Sequence, residues 1–183
     1  LTGHKGVIRH AVWSPQGDRL LTVGVDDTPR IWTEQTGEMV STELPVDQQV
    51  DYDFVCAAFS ANGNWIAAGA TSNASDDIIG WVWKLDANKQ YRQHSSVTES
   101  PEGLRAIGFV PGVEPGTQRL VTGSGNGAVT VWNVPRDFGA DQPNVLVDSI
   151  DLPAWDGQPG GTAHRLSVTS IDTASDGTIV SAS

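Results

Sequence analysis

One cysteine, Cys56, is all the chain contains, so no intramolecular disulfide can staple the fold. It lies in an apolar stretch with no basic neighbour in sequence to stabilise a thiolate, and reads as a buried small hydrophobe rather than a reactive thiol. Basic residues are scarce as well: 11 Lys and Arg stand against 22 Asp and Glu, for a net charge of −11. A field of that sign repels phosphate backbones and argues against nucleic-acid binding. No apolar run approaches the roughly 18 residues of a membrane-spanning helix, and no membrane contact is expected. The chain opens Leu1-Thr2-Gly3-His4 with no signal-peptide pattern, an absence that decides little at such a start; a cytoplasmic setting is the favoured expectation. Also missing are a Gly-rich loop ending in Lys-Ser or Lys-Thr, a Gly-x-Ser-x-Gly elbow, and Cys or His pairs at zinc spacing. No cofactor, metal or catalytic residue is expected.

What the chain does have is Trp, seven of them, and Gly, twenty. Trp32, Trp83 and Trp132 recur roughly 50 residues apart, and each follows a turn-closing Asp26, Asp77 or Asn126 at the same interval. Self-similarity at such a period marks a repeat architecture whose units cannot bury their apolar faces alone. Upstream of each Trp the pattern repeats. Ile8, Ala11 and Trp13 match Phe54, Ala57 and Phe59, then Leu104, Ile107 and Phe109, then Val168, Ile171 and Thr173. This spacing is not helical; its last two members alternate as one buried strand face does.

Turn chemistry divides each unit. Ser14-Pro15-Gln16-Gly17, Ser60-Ala61-Asn62-Gly63 and Ala174-Ser175-Asp176-Gly177 are tight reversals, whereas the third unit spends residues 111–118 on a longer loop. Second strands are expected at 19–23, 65–69, 119–122 and 179–181. Third strands end at Trp32, Trp83 and Trp132, and outer strands fall at 38–44, 90–96 and 144–150, which puts His94 on an outer strand at an expected exposed position. Four short antiparallel strands per repeat make an all-β fold, a β-propeller of four-stranded antiparallel blades. The units run over 4–44, 50–96 and 100–150, with a half blade at 164–183, about three and a half blades of a partial propeller.

These residues resemble the WD-repeat (WD40) β-propeller family, over nearly the whole chain. The resemblance implies a hydrogen-bonded tetrad in each blade: a His before the first strand, a Ser or Thr on the second, an Asp in the next turn and the Trp of the third. Unit one has all four, His4, Thr22, Asp26 and Trp32. Unit two has Asp77 and Trp83, but Val50 and Ala68 stand in the His and Thr places. Unit three keeps Thr122 and Trp132, with Ser100 for His and Asn126 for Asp. Unit four offers His164 and Ser181. The family's Trp-Asp dipeptide is absent at the repeat positions, where Thr33, Lys84 or Asn133 follows the Trp.

The resemblance further implies that partners dock on the face around the central channel. Lys5, Val25 and Asp27 of unit one fall there, as do Asp51 of the acidic connector 45–53 and Asp76 of the insertion 71–76. Glu99, Glu102 and Gly125 of unit three join them, with Trp155 and Asp156 of the connector 153–161. A Trp in a Gly/Pro connector can anchor an interface or tuck between blades; the acidic connector can steer a basic partner or simply be solvated. The favoured function is a non-catalytic scaffold that presents a rigid face to a protein or peptide partner, as a segment of a longer protein. One alternative is a propeller acting on a small molecule or carbohydrate through converging carboxylates, such as Asp51 with Glu99 or Asp156. Another is the sensor domain of a signalling ATPase or kinase. Closed propellers need about four to eight blades, so the remaining blades are expected from the rest of the chain in preference to a second copy.

Overall fold

The computed structural model describes residues 2–46, 52–71, 79–98, 103–136, 146, 149–151, 163–164, 166–174 and 176–183. Every regular element among them is a strand. β1 (Ile8–Trp13), β2 (Arg19–Gly24), β3 (Arg30–Gln35) and β4 (Glu38–Glu43) form one antiparallel meander in chain order. β5 (Asp53–Phe59), β6 (Trp65–Thr71), β7 (Gly80–Leu85) and β8 (Tyr91–Val97) form the second. β9 (Leu104–Pro111), β10 (Gln118–Ser124), β11 (Val129–Val134) and β12 (Ser149–Asp151) form the third, and β13 (Ser170–Thr173) pairs with β14 (Ile179–Ala182).

The reversals follow from their residues. Gly17, Gly63 and Gly177 have φ of 72°, 68° and 90°. Their N–H groups donate three residues back, to Ser14, Ser60 and Ala174 carbonyls at 2.9, 2.8 and 3.0 Å. A side chain at those angles is strained, so the Gly in each Ser/Ala-x-x-Gly string ends the first strand at a fixed point. The two-residue turn between β3 and β4 has Thr36 and Gly37 both at positive φ, 55° and 87°, the geometry whose twist matches flanking strands. In the third unit the longer 111–118 loop closes through the Gly112 N–H to the Thr117 carbonyl at 3.1 Å.

Among the described residues three apolar layers succeed one another between neighbouring sheets. Leu21, Val23 and Ile31 meet Phe54, Ile66 and Trp83 in the first. Val82 and Val97 meet Leu104, Leu120 and Trp132 in the second, and Val121 and Val131 meet Val168 and Ile179 in the third. Each fully buried aliphatic or Phe side chain contributes roughly 1.5–3 kcal/mol. The sheets approach closely where the sequence places Gly: a Cβ on Gly123 would stand 2.5 Å from Val168, and one on Gly69 2.8 Å from Leu104.

Two expectations need correction. Ile8, Ala11 and Trp13 were expected on a buried face, yet Ile8 is 44% and Trp13 56% exposed, while their counterparts Leu104 and Phe109 are 1% and 6% exposed. The first strand of each later unit is covered by the sheet before it, and among the described residues no sheet precedes unit one. His94, expected on an exposed outer position, is half-buried and meets the Trp65 ring edge-on at 4.7 Å. Alternation along β8 is broken by a register shift in its pairing with β7, which defeats a simple in-out reading of that strand.

Candidate partner-docking face

Behind the channel face of unit one, four side chains form a continuous polar chain. The Trp32 indole N–H donates to Thr22 Oγ1 at 2.7 Å, buried on β2 and β3. Thr22 Oγ1 lies 2.7 Å from His4 Nε2, and His4 Nδ1 lies 2.8–2.9 Å from both Asp26 carboxylate oxygens. With the Thr22 hydroxyl proton directed to an unprotonated Nε2 and the single imidazole N–H on Nδ1 donating to Asp26, every donor has an acceptor. Trp32 is 1% exposed, and the His4 and Asp26 side chains are 5% and 7% exposed. Burial by itself would raise the Asp26 pKa; hydrogen bonds from His4 and the Lys5 backbone outweigh it and hold the carboxyl below its ordinary value. The same carboxylate accepts the Lys5 N–H at 2.8 Å, so the chain that satisfies the indole also pins the loop that carries Lys5.

Other units solve the same problem differently. In unit three the Trp132 N–H donates to Thr122 Oγ1 at 2.8 Å, and Thr122 points its proton at the Thr130 carbonyl at 3.4 Å. Asn126, placed with the tetrad by its sequence position, does not continue this chain. Its Oδ1 accepts from the Ser124 hydroxyl and from the Ala128 N–H, folding its own turn; a side-chain amide oxygen two residues from a backbone N–H donor closes a local turn more readily than it reaches across a blade. In unit four His164 Nε2 lies 2.7 Å from Ser181 Oγ. Unit two has Ala68 where the hydroxyl would be, and there the Trp83 N–H donates to the Pro45 carbonyl at 2.7 Å. A connector carbonyl thus replaces a side-chain acceptor. Asp77 lies outside the described residues.

Of the docking candidates, Lys5 is exposed and Asp27 half-buried. Asp27 has φ of 56° and its carboxylate accepts the Tyr52 N–H at 2.6 Å, so it ties unit one to unit two. Gly125 donates its N–H to the Gly103 carbonyl at 3.2 Å, a second tie between turns. Asp51, Asp76, Glu99, Glu102, Trp155 and Asp156 lie outside the described residues, and with them every carboxylate pair considered for carbohydrate chemistry.

The first strands β1, β5, β9 and β13 surround a cavity of about 460 Å³, lined among others by His10, Val55, Ala58, Arg105, Gly108 and Asp172. Burial depresses the His10 pKa and pushes the Cys56 thiol up to about 12, against a weaker pull from the Arg105 charge. Among the described residues no three His, Cys, Asp or Glu side chains gather as metal ligands would. Sequence reasoning missed Arg105 and its counterpart Arg9. The signal was present, since each directly follows the apolar residue that opens its first strand.

Comparison with known proteins agrees with this geometry. Residues 1–33 match the family model of the WD domain, G-beta repeat. The chain is 32% identical over 93 residues to the probable cytosolic iron-sulfur protein assembly protein 1 of Malassezia globosa, covering 45% of this chain and 24% of that protein. It is 28% identical over 130 residues to actin-interacting protein 1 of Drosophila melanogaster, covering 71% of this chain and 19% of that protein. The crystal structure of the RRP9 WD40 repeats superposes with a TM-score of 0.64 at 19% identity, over 96% of this chain and 44% of that one. The U3-55K structure gives 0.65 at 19% identity, over 99% and 50%. The chain therefore spans about a quarter or less of the curated relatives' length, and half or less of these structures. Its first unit is a WD repeat by sequence, and its sheets form the WD40-type β-propeller fold.

Proposed function

We propose that the chain is a non-catalytic docking module that presents its channel face to a protein or peptide partner. The observation that supports this reading most is the anchoring of that face from behind. Asp26 is held by His4 and in turn holds the Lys5 backbone, and Asp27 holds Tyr52 of the next unit. Loops fixed this way lose little entropy on docking. His4, the imidazole with an acid partner, has both ring nitrogens engaged within the blade, so it is read as structural rather than catalytic. The family likeness adds that a propeller is a scaffold on which binding surfaces are grafted, and the fold alone does not name the partner. The exposed Ile8 and Trp13 are read as the side of unit one that a further blade covers.

Titration calorimetry of the intact protein with its partner tests the reading. Lys5→Glu combined with Trp155→Ala is expected to weaken binding at least tenfold, and Glu38→Ala on the exposed outer strand to leave it unchanged. Rim variants that bind like wild type would overturn the proposal.

A further inference from the structure

Arg9 and Arg105 occupy the same place in units one and three, and the ladder singles both out. β1 pairs Ile8 with Gly24 and His10 with Val23, skipping Arg9. β9 pairs Leu104 with Ser124 and Ala106 with Gly123, skipping Arg105. Unit two skips Val55 in the same way, between Phe54 and Cys56. An extra residue of this kind bends the strand and re-aims one side chain out of the alternation. Val55 and Arg105 line the central cavity; Arg9 is exposed on β1.

These two guanidinium groups differ from four others among the described residues. Arg30 reaches Glu43 at 2.7 Å and Arg92 reaches Asp86 at 3.2 Å. Arg19 donates to the Tyr91 hydroxyl at 3.1 Å and Arg119 to the Pro111 carbonyl at 3.0 Å. Arg9 and Arg105 donate to no oxygen among the described residues. In a chain where acidic side chains outnumber basic ones two to one, unpaired arginines at matched repeat positions call for an explanation. The lining around Arg105 mixes Val55, Ala58 and Gly108 with Ser170 and Thr173, and Arg105 itself is exposed, so a ligand entering the cavity can reach its guanidinium. Asp172 is the one carboxylate among the described lining residues, and its Oδ1 accepts the Thr173 N–H at 2.9 Å.

We propose that this cavity takes the carboxylate of an acidic segment of a partner protein, with Arg105 as its guanidinium fork and Arg9, at the matched place on β1, as added positive charge. The inference rests on the docking reading above and gives the partner a charge. A planar fork of donors matches a carboxylate two bonds at a time, and a cavity of this volume is within the range of peptide and small-ligand sites. A peptide bringing a few carboxylates to the bore is preferred over a nucleic acid, whose many phosphates would meet the −11 body.

The test is fluorescence anisotropy of a labelled peptide carrying two adjacent Glu in an otherwise uncharged sequence, titrated with the intact protein. Wild type binds, and binding weakens as salt rises. Arg105→Gln weakens it about fivefold, and Arg9→Gln with Arg105→Gln about tenfold or more. Arg105→Lys falls between, because charge survives and the fork does not. Arg119→Gln, outside the cavity, binds as wild type, and matched thermal midpoints show that the variants remain folded. No binding by wild type, or a double variant as tight as wild type, would overturn the inference; so would tighter, equally Arg-dependent binding of oligo-dT. If the protein partner is weakened by the rim variants but still bound in full by the arginine double variant, the docking reading stands and the acidic-segment inference falls.

Discussion

Replacing Thr22 with Val keeps the volume of the side chain and removes only its hydroxyl, which isolates the polar chain of unit one. The hydroxyl serves two partners at 2.7 Å, the Trp32 N–H and His4 Nε2. Trp32 is 1% exposed, so its stranded donor has no water to turn to and costs roughly 1–3 kcal/mol. Loss of the bond to His4 adds about 1 kcal/mol, for a total of about 2–4 kcal/mol. In a chain of this size each kcal/mol lowers the melting midpoint by about 2–4 °C, which puts the variant roughly 5–15 °C below wild type. Thr122→Val strands the Trp132 donor alone, because the onward bond of Thr122 is a 3.4 Å contact with a carbonyl. It should therefore cost about 1 kcal/mol less. Thr42→Val, on the exposed strand β4, is the neutral reference. Thermal and urea unfolding followed by Trp fluorescence measures all three. A Thr22→Val variant within about 0.5 kcal/mol of Thr42→Val would refute the reasoning.

Three further outcomes are expected. Trp83→Phe keeps most of the ring burial and loses the bond to the Pro45 carbonyl, costing about 1 kcal/mol. Trp83→Ala costs about 3–5 kcal/mol through the cavity it leaves; equal urea midpoints for the two variants would contradict this division. The Asp26 pKa lies below its ordinary value, with burial opposed and outweighed by bonds from His4 and the Lys5 backbone. Such a group contributes stability that is fully present above the ordinary carboxylate pKa and lost as pH falls through the folded-state value. Asp26→Asn should remove that part of the acid sensitivity in urea melts run from about pH 6 down to about pH 2, and superimposable pH profiles would contradict the shift. Cys56, buried and with its thiol raised to about 12, should resist aromatic disulfide reagents at neutral pH in the native protein and react at once in denaturant; native labelling at the rate of an exposed thiol would contradict its burial.

The fold was legible because its signals are local and repeated. The Ser/Ala-x-x-Gly strings fixed the reversals, and the recurring Trp fixed the phase of the third strands. The polar chain of unit one was legible for the same reason, since each member occupies a position set by that phase. What escaped was whatever depends on neighbours that sequence spacing does not encode. The carbonyl of Pro45, which satisfies Trp83, carries no side-chain signature at all. Asn126 was misplaced because an Asn in a turn competes for its own backbone. Ile8 and Trp13 carry the apolar pattern of a covered strand, but cover comes from an adjoining sheet and not from the pattern. Arg9 and Arg105 were overlooked because strict alternation has no place for a bulged residue, and the bulge alone re-aims them.

The central claim, that the channel face is where partners dock, is tested most directly by site-specific photo-crosslinking in the intact protein. A photoreactive residue at Lys5 or Gly125 should join covalently to the partner, and one at Glu38 on the outer strand should not. Crosslinks confined to Glu38, with the rim positions silent, would contradict the account.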